Sequence, residues 1–162
     1  MRFRAAKATF EEVVDDTLKM NPGVTREELM RGVEVDPDDA SRVKGNVNWN
    51  QKGMAVLPES IGSLTVDGAL TLSNNNLATL PASFGSLTVG GHLVLDNNNL
   101  ATLPSSFGSL VVGGHLNLYR NNLATLPASF GSLQVGGKVY LSDNPVTASG
   151  PHFDGLDVRY TH

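Results

Sequence analysis

The dipeptide Leu-Pro returns at residues 57, 80, 103 and 126, always 23 residues apart, and this period limits the fold more than any other feature of the chain. Aligned at that spacing, LTLSNNNLATLPASFGSLTVGGH (70–92), LVLDNNNLATLPSSFGSLVVGGH (93–115) and LNLYRNNLATLPASFGSLQVGGK (116–138) are consecutive copies, the first two differing at four of 23 positions. The phase runs upstream through Val47, Trp49, Met54, Leu57, Ile61, Leu64 and Val66. Downstream it runs through Val139, Leu141, Asn144, Val146, Phe153, Leu156 and Val158. Five rungs result, three near-identical and two degenerate. A copy of this length cannot bury its own apolar face and must bury it against the next, so the chain is expected to stack as a solenoid.

Within a copy the pattern is physically legible. In Leu70-x-Leu72 and its repeats both leucines point inward and the residue between them points out, so the strands should align as a parallel sheet about 4.8 Å apart. Asn75, Asn98, Asn121 and Asn144 follow at the turn, inside the stack, where a buried amide needs partners from neighbouring backbones. They are expected to form a structural ladder, with Lys52 in their column in the first rung. Pro58, Pro81, Pro104 and Pro127 suit an extended return arm outside the sheet. Ile61, Phe84, Phe107, Phe130 and Phe153 form the back wall, and the Gly pairs at 90–91, 113–114 and 136–137 read as sharp turns into the next strand.

The motif LxLxxNxL, read as Leu70-x-Leu72-x-x-Asn75-x-Leu77 and repeated from Leu93 and Leu116, resembles the leucine-rich-repeat family. The LPxSFGSL half is similar to the 23-residue class that carries LPxxIGxL on its convex side. Where the family usually has another Leu three residues before the LxL pair, this chain has Gly90, Gly113 and Gly136, with Val89, Val112 or Val135 one position earlier. That departure implies a tighter turn. The resemblance implies an α/β solenoid, a curved right-handed coil with a parallel β-sheet on its concave face, and a binding role rather than a catalytic one.

The ends differ in character. Residues 1–45 hold 18 of the 28 charged residues and read as a helical N-terminal cap, similar in layout to the helical hairpin of bacterial leucine-rich-repeat effectors. Phe10, Val13, Val14 and Leu18 share one helical face, Asn21-Pro22-Gly23 stops that helix, and Thr25-x-x-Glu28 is a capping box for a second. Asp36-Pro37-Asp38-Asp39 reads as an N-cap with Pro at the first helical position, opening a turn of helix that ends by Val43. Residues 46–147 are then the repeats and 148–162 a C-terminal cap, all within one structural domain.

Composition narrows the function. Without cysteine there is no disulfide, thiolate–metal or thiol chemistry. A net charge of −4 with no run of like charge argues against nucleic acid. No apolar run approaches the roughly 18 residues of a membrane span, and MRFRAAKATFEEVVDD lacks the apolar core of a Sec signal. A cytoplasmic location is expected, with export by a non-Sec route left open. GxSxG, P-loop and HExxH motifs are absent, and Ser63, Ser86, Ser109 and Ser132 recur as a structural ladder rather than as nucleophiles. No enzyme activity and no cofactor is expected.

His92 and His115 stand one repeat apart and should stack about 5 Å from each other, with Asp96 nearby. Their column continues as Ala69 and Lys138, which supplies no tetrahedral ligand set, so they read as surface histidines and not as a metal site. The three central copies differ at six positions, and four of these (71/94/117, 73/96/119, 74/97/120 and 92/115/138) lie on or beside the face expected to be concave. Drift after duplication is the competing explanation. The functional reading makes Asn48, Thr71, Ser73, His92, Val94, Asp96, His115, Asn117, Tyr119, Arg120, Lys138 and Tyr140 a partner-binding patch for a protein or peptide, while Trp49 occupies a Leu position and belongs to the core. Tyr and Arg are enriched at interface hot spots, and they concentrate in the later rungs. A second reading is a self-assembling protein that dimerises through this face or through a sheet edge near Val139–Leu141.

Overall fold

The computed structural model describes residues 7–146 and 156–159, and statements about the fold concern those residues. Two short helices open the chain. In α1 (Phe10–Met20) the Thr9 hydroxyl accepts the Glu12 N–H at 3.1 Å, and the Glu12 carboxylate accepts the Thr9 N–H at 2.8 Å. Thr25 and Glu28 cap α2 (Arg26–Met30) in the same way. The helices bury Phe10, Val13, Val14 and Leu29 over the first rung. There Trp49 is fully buried, 6.0 Å from the Phe10 ring, and its Nε1–H donates to the Leu29 carbonyl at 2.9 Å. Asn21 clamps this cap to the coil. Its Oδ1 accepts the Ala55 N–H at 2.8 Å, and its Nδ2 donates to the Val56 carbonyl at 2.8 Å.

The helical turn expected from Asp36 to Val43 is instead a β-hairpin. Strand β1 (Glu34–Asp36) pairs antiparallel with β2 (Asp39–Lys44), Val35 opposite Val43. Asp36 does cap a turn, accepting the Asp38 N–H at 2.8 Å, but the turn is the hairpin's own. Pairing with the next rung, with Val43 beside Val66, supplies ladder hydrogen bonds that a single helical turn would forgo.

Each rung then contributes two short strands, and they build two sheets rather than one. The LxL strands β3 (Val47–Asn48), β5 (Leu70–Thr71), β7 (Leu93–Val94), β9 (Leu116–Asn117) and β11 (Lys138–Tyr140) stack in parallel, with β12 (Asp157–Arg159) outside β11. The second sheet runs β1-β2 and then β4 (Thr65–Val66), β6 (Thr88–Val89), β8 (Val111–Val112) and β10 (Gln134–Val135). The valines that stand early in this sequence are therefore not part of a tighter turn. Val66, Val89 and Val112 are buried rungs of a ladder of their own.

Between the LxL strand and the second sheet, each proline (φ −74° to −64°) leads into a 3₁₀ turn: Glu59–Ser63, Ala82–Ser86, Ser105–Ser109 and Ala128–Ser132. Phe84, Phe107 and Phe130 stack behind these turns with centroids 6.2 and 6.0 Å apart, extending the column that starts at Ile61. Phe153 lies outside the described residues. The glycine pairs work by proximity, not by unusual dihedrals. A Cβ on Gly90 would overlap the Asp67 carbonyl oxygen, and one on Gly113 would overlap that of Gly90. The left-handed turn is made by other residues: Gln51, Asn74, Asn97, Arg120 and Asp143, with φ between 51° and 56°.

Two expectations at the C-terminal end change. The edge near Val139–Leu141 is not free, because β12 occupies it. Val158 does not keep the 23-residue phase that would set it beside Val135; it pairs with Val139, closing the LxL sheet and satisfying backbone groups that the end of a stack leaves open. The cap expected over 148–162 falls mostly outside the described residues, as do His152 and His162.

Candidate functional site

The outward positions of the LxL sheet form one continuous row, Asn48–Thr71–Val94–Asn117–Tyr140, each residue paired in register with the next. Their inward neighbours Leu70, Leu93, Leu116 and Val139 are buried, so this alternation presents the row to solvent. Beside it runs a second row, Ser73, Asp96 and Tyr119, just after the strands. A third, Ala69, His92 and His115, lies just before them and continues as Lys138, the first residue of β11.

Most of these side chains are held by neighbours. Ser73 is buried and donates its hydroxyl to Asp96, whose other oxygen accepts from Asn97 Nδ2 at 2.6 Å. Asp96 is thus engaged on both oxygens. Asn117 Oδ1 accepts the Tyr119 N–H at 3.0 Å, and the Thr71 hydroxyl donates to Asn48 Oδ1 at 3.3 Å. The Arg120 guanidinium lies 5.2 Å from the centre of the Tyr119 ring and reaches Asp143 at 3.3 Å. Tyr140 meets His115 edge-on, with centroids 5.7 Å apart.

His92 and His115 stack 4.8 Å apart and nearly parallel. Each Nδ1 accepts a backbone N–H from the following rung, His115 N–H for His92 and Lys138 N–H for His115, both at 2.8 Å. With those lone pairs committed, the rings tie rungs together. Among the described residues no three metal-ligating side chains converge.

Below this face lies the asparagine ladder. Asn98 Oδ1 accepts the Leu77 N–H at 3.2 Å, while Nδ2 donates to the carbonyls of Leu72 (3.0 Å) and Leu95 (3.1 Å). Asn75, Asn121 and Asn144 repeat the arrangement one rung apart.

A family model described as Leucine Rich Repeat matches residues 69–87. Among solved structures, a leucine-rich-repeat protein of Leptospira interrogans superposes with a TM-score of 0.55 at 20% identity, covering 98% of this chain. The chain folds as a leucine-rich-repeat protein. It spans 48% of the length of that Leptospira protein, so the likeness concerns the fold alone. No curated protein matches, and neither the family model nor this structural neighbour indicates an enzyme family. No helix among its described residues is long and apolar enough to cross a membrane.

Three contributors to the face escaped sequence reading. Asn46 accepts the Ala69 N–H at 2.8 Å, Asn50 accepts the Ser73 N–H at 2.8 Å, and Asp143 holds Arg120. Asn46 was visible in principle, since it stands 23 residues before Ala69 in the histidine column.

Proposed function

We propose that the solvent face of the LxL sheet in the later rungs is a non-enzymatic protein- or peptide-binding surface, with Tyr119, Arg120 and Tyr140 as anchors. One observation carries this reading. Four of the six positions at which the copies differ lie on or beside the outward side of the LxL sheet, and in one copy they introduce an Asn, a Tyr, an Arg and a Lys. The ring contacts of Tyr119 with Arg120 and of Tyr140 with His115 pre-orient the aromatic groups, which lowers the entropy lost when a partner docks. Leucine-rich-repeat domains generally mediate protein interactions, which agrees with this assignment. Self-assembly through the edge at Val139–Leu141 loses its support, because β12 covers that edge.

The test is a double substitution, Tyr119→Ala with Tyr140→Ala, assayed against a partner captured from the host lysate. Loss of such anchors costs about 2 kcal/mol, roughly thirtyfold in affinity. The far-UV spectrum should stay unchanged. Ser86→Ala with Ser109→Ala, two exposed positions on the opposite arm, serves as the control. A partner that ignores the tyrosines and is lost with the serines would place the site on the other side of the coil.

A further inference from the structure

In the column preceding the LxL strands, a side chain of one rung accepts a backbone N–H of the next. Asn46 Oδ1 takes the Ala69 N–H, His92 Nδ1 takes that of His115, and His115 Nδ1 takes that of Lys138, all at 2.8 Å. Each acceptor sits where a Cβ on Gly68, Gly114 or Gly137 would otherwise lie. An Nδ1 that accepts carries no hydrogen, so each neutral ring keeps its one N–H at Nε2. An imidazolium has a hydrogen on both nitrogens and accepts nothing. Asn46 performs the same task with an oxygen that does not titrate.

We propose that His92 and His115 form an acid-released latch across the rungs that end at His92, His115 and Lys138. Protonation turns each acceptor into a donor facing another donor. It also sets two cations 4.8 Å apart, with Lys138 next in the column. The surrounding groups do not offset this. Asp157 stands opposite Lys138 in strand register, one strand further from the histidines, Asp96 is bound to Ser73 and Asn97, and Asp67, beside Gly90, is held by Arg42. Tyr140 meets His115 edge-on. The unfolded chain takes up protons without breaking a cross-rung hydrogen bond, so acid weakens the folded stack relative to it. Through Tyr140 the latch reaches the face proposed above to bind, and only that consequence rests on the binding reading.

The latch is tested without a ligand, by thermal melts at pH 8 and pH 5.5 of the full chain and of the double variant His92→Asn with His115→Asn. Asn reproduces what Asn46 does. The wild type should lose about 3–6 °C of Tm between the two conditions, and the variant should lose less than a third of that. His152 and His162 remain in both proteins. Glu28, held low by the Thr25 backbone N–H and hydroxyl, and Asp39, held low by Ser41, stay charged throughout in both. An unchanged wild-type Tm, or a parallel fall in both proteins, overturns the latch. Should the variant fail to fold, nitrogen-15 NMR of the wild type at pH 8 decides: both rings must show a bare Nδ1 and a protonated Nε2, and an Nδ1–H form in either overturns the proposal.

Discussion

At the scale of single residues, the inward columns behave as shared hydrogen-bond machinery. Asn98 serves an N–H and two carbonyls from its own rung and the one before, all buried where water cannot replace it. Asn98→Leu should therefore cost about 3 kcal/mol in chemical denaturation. An unchanged midpoint would mean the ladder contributes nothing. Arg120 is the opposite case. It occupies the left-handed conformation (φ 51°) that Asn74 and Asn97 fill in the preceding copies, and Asn adopts it more readily than Arg. Its exposed ion pair with Asp143 is worth little. Arg120→Asn should raise stability by about 0.5 kcal/mol, a gain the native chain forgoes at a proposed anchor. A loss above about 1 kcal/mol would show that the Tyr119 and Asp143 contacts outweigh the backbone strain.

Among elements, the 3₁₀ turns are the tightest joints. Gly85 and Gly108 lie against the carbonyls of Ser106 and Ser129 in the next turn, while the hydroxyls of Ser106 and Ser129 donate back to Ala82 O (2.5 Å) and Ser105 O (2.7 Å). Backbone cannot yield there as a flexible side-chain end can. Gly108→Ala should thus destabilise by about 2 kcal/mol or more, read as a shift in denaturation midpoint. Gly23→Ala, where a Cβ meets nothing within 4 Å, should be close to neutral. Equal effects at the two positions would mean that close stacking is not what the repeat glycines provide. The first helix and the Thr25 capping box were readable from residues alone, because both depend on partners within four positions. The hairpin at residues 34–44 was not. Asp-Pro-Asp-Asp is locally a good helix start, and only the pairing of Val43 with Val66, 23 residues on, decides against it.

For the whole molecule, stability is a chain of neighbour contacts with two ends to protect. The helices cover Trp49 and are clamped to the first rung by Asn21. Removing residues 1–33 leaves β1 and β2 in place but exposes that apolar end, so the truncated protein should aggregate or lose cooperative unfolding. A soluble truncation with a sharp transition would assign the helices another task.

The period by itself determines which positions face inward. A residue copied every 23 positions meets its own copies above and below, so its surroundings are written in the repeat. That holds for the leucines, the phenylalanines and the buried asparagines, and for the outward row that carries Tyr140. The tertiary structure decided what has no copy to meet, or what depends on an atom rather than a residue type. The valines became a second sheet because each rung returns alongside its neighbour twice. Strand β12 left the phase because an open strand edge needs backbone partners more than it needs a regular spacing. His92 and His115 became links between rungs because a backbone N–H of the next rung arrives 2.8 Å from Nδ1, a distance set by how the rungs stack and by glycines one rung away.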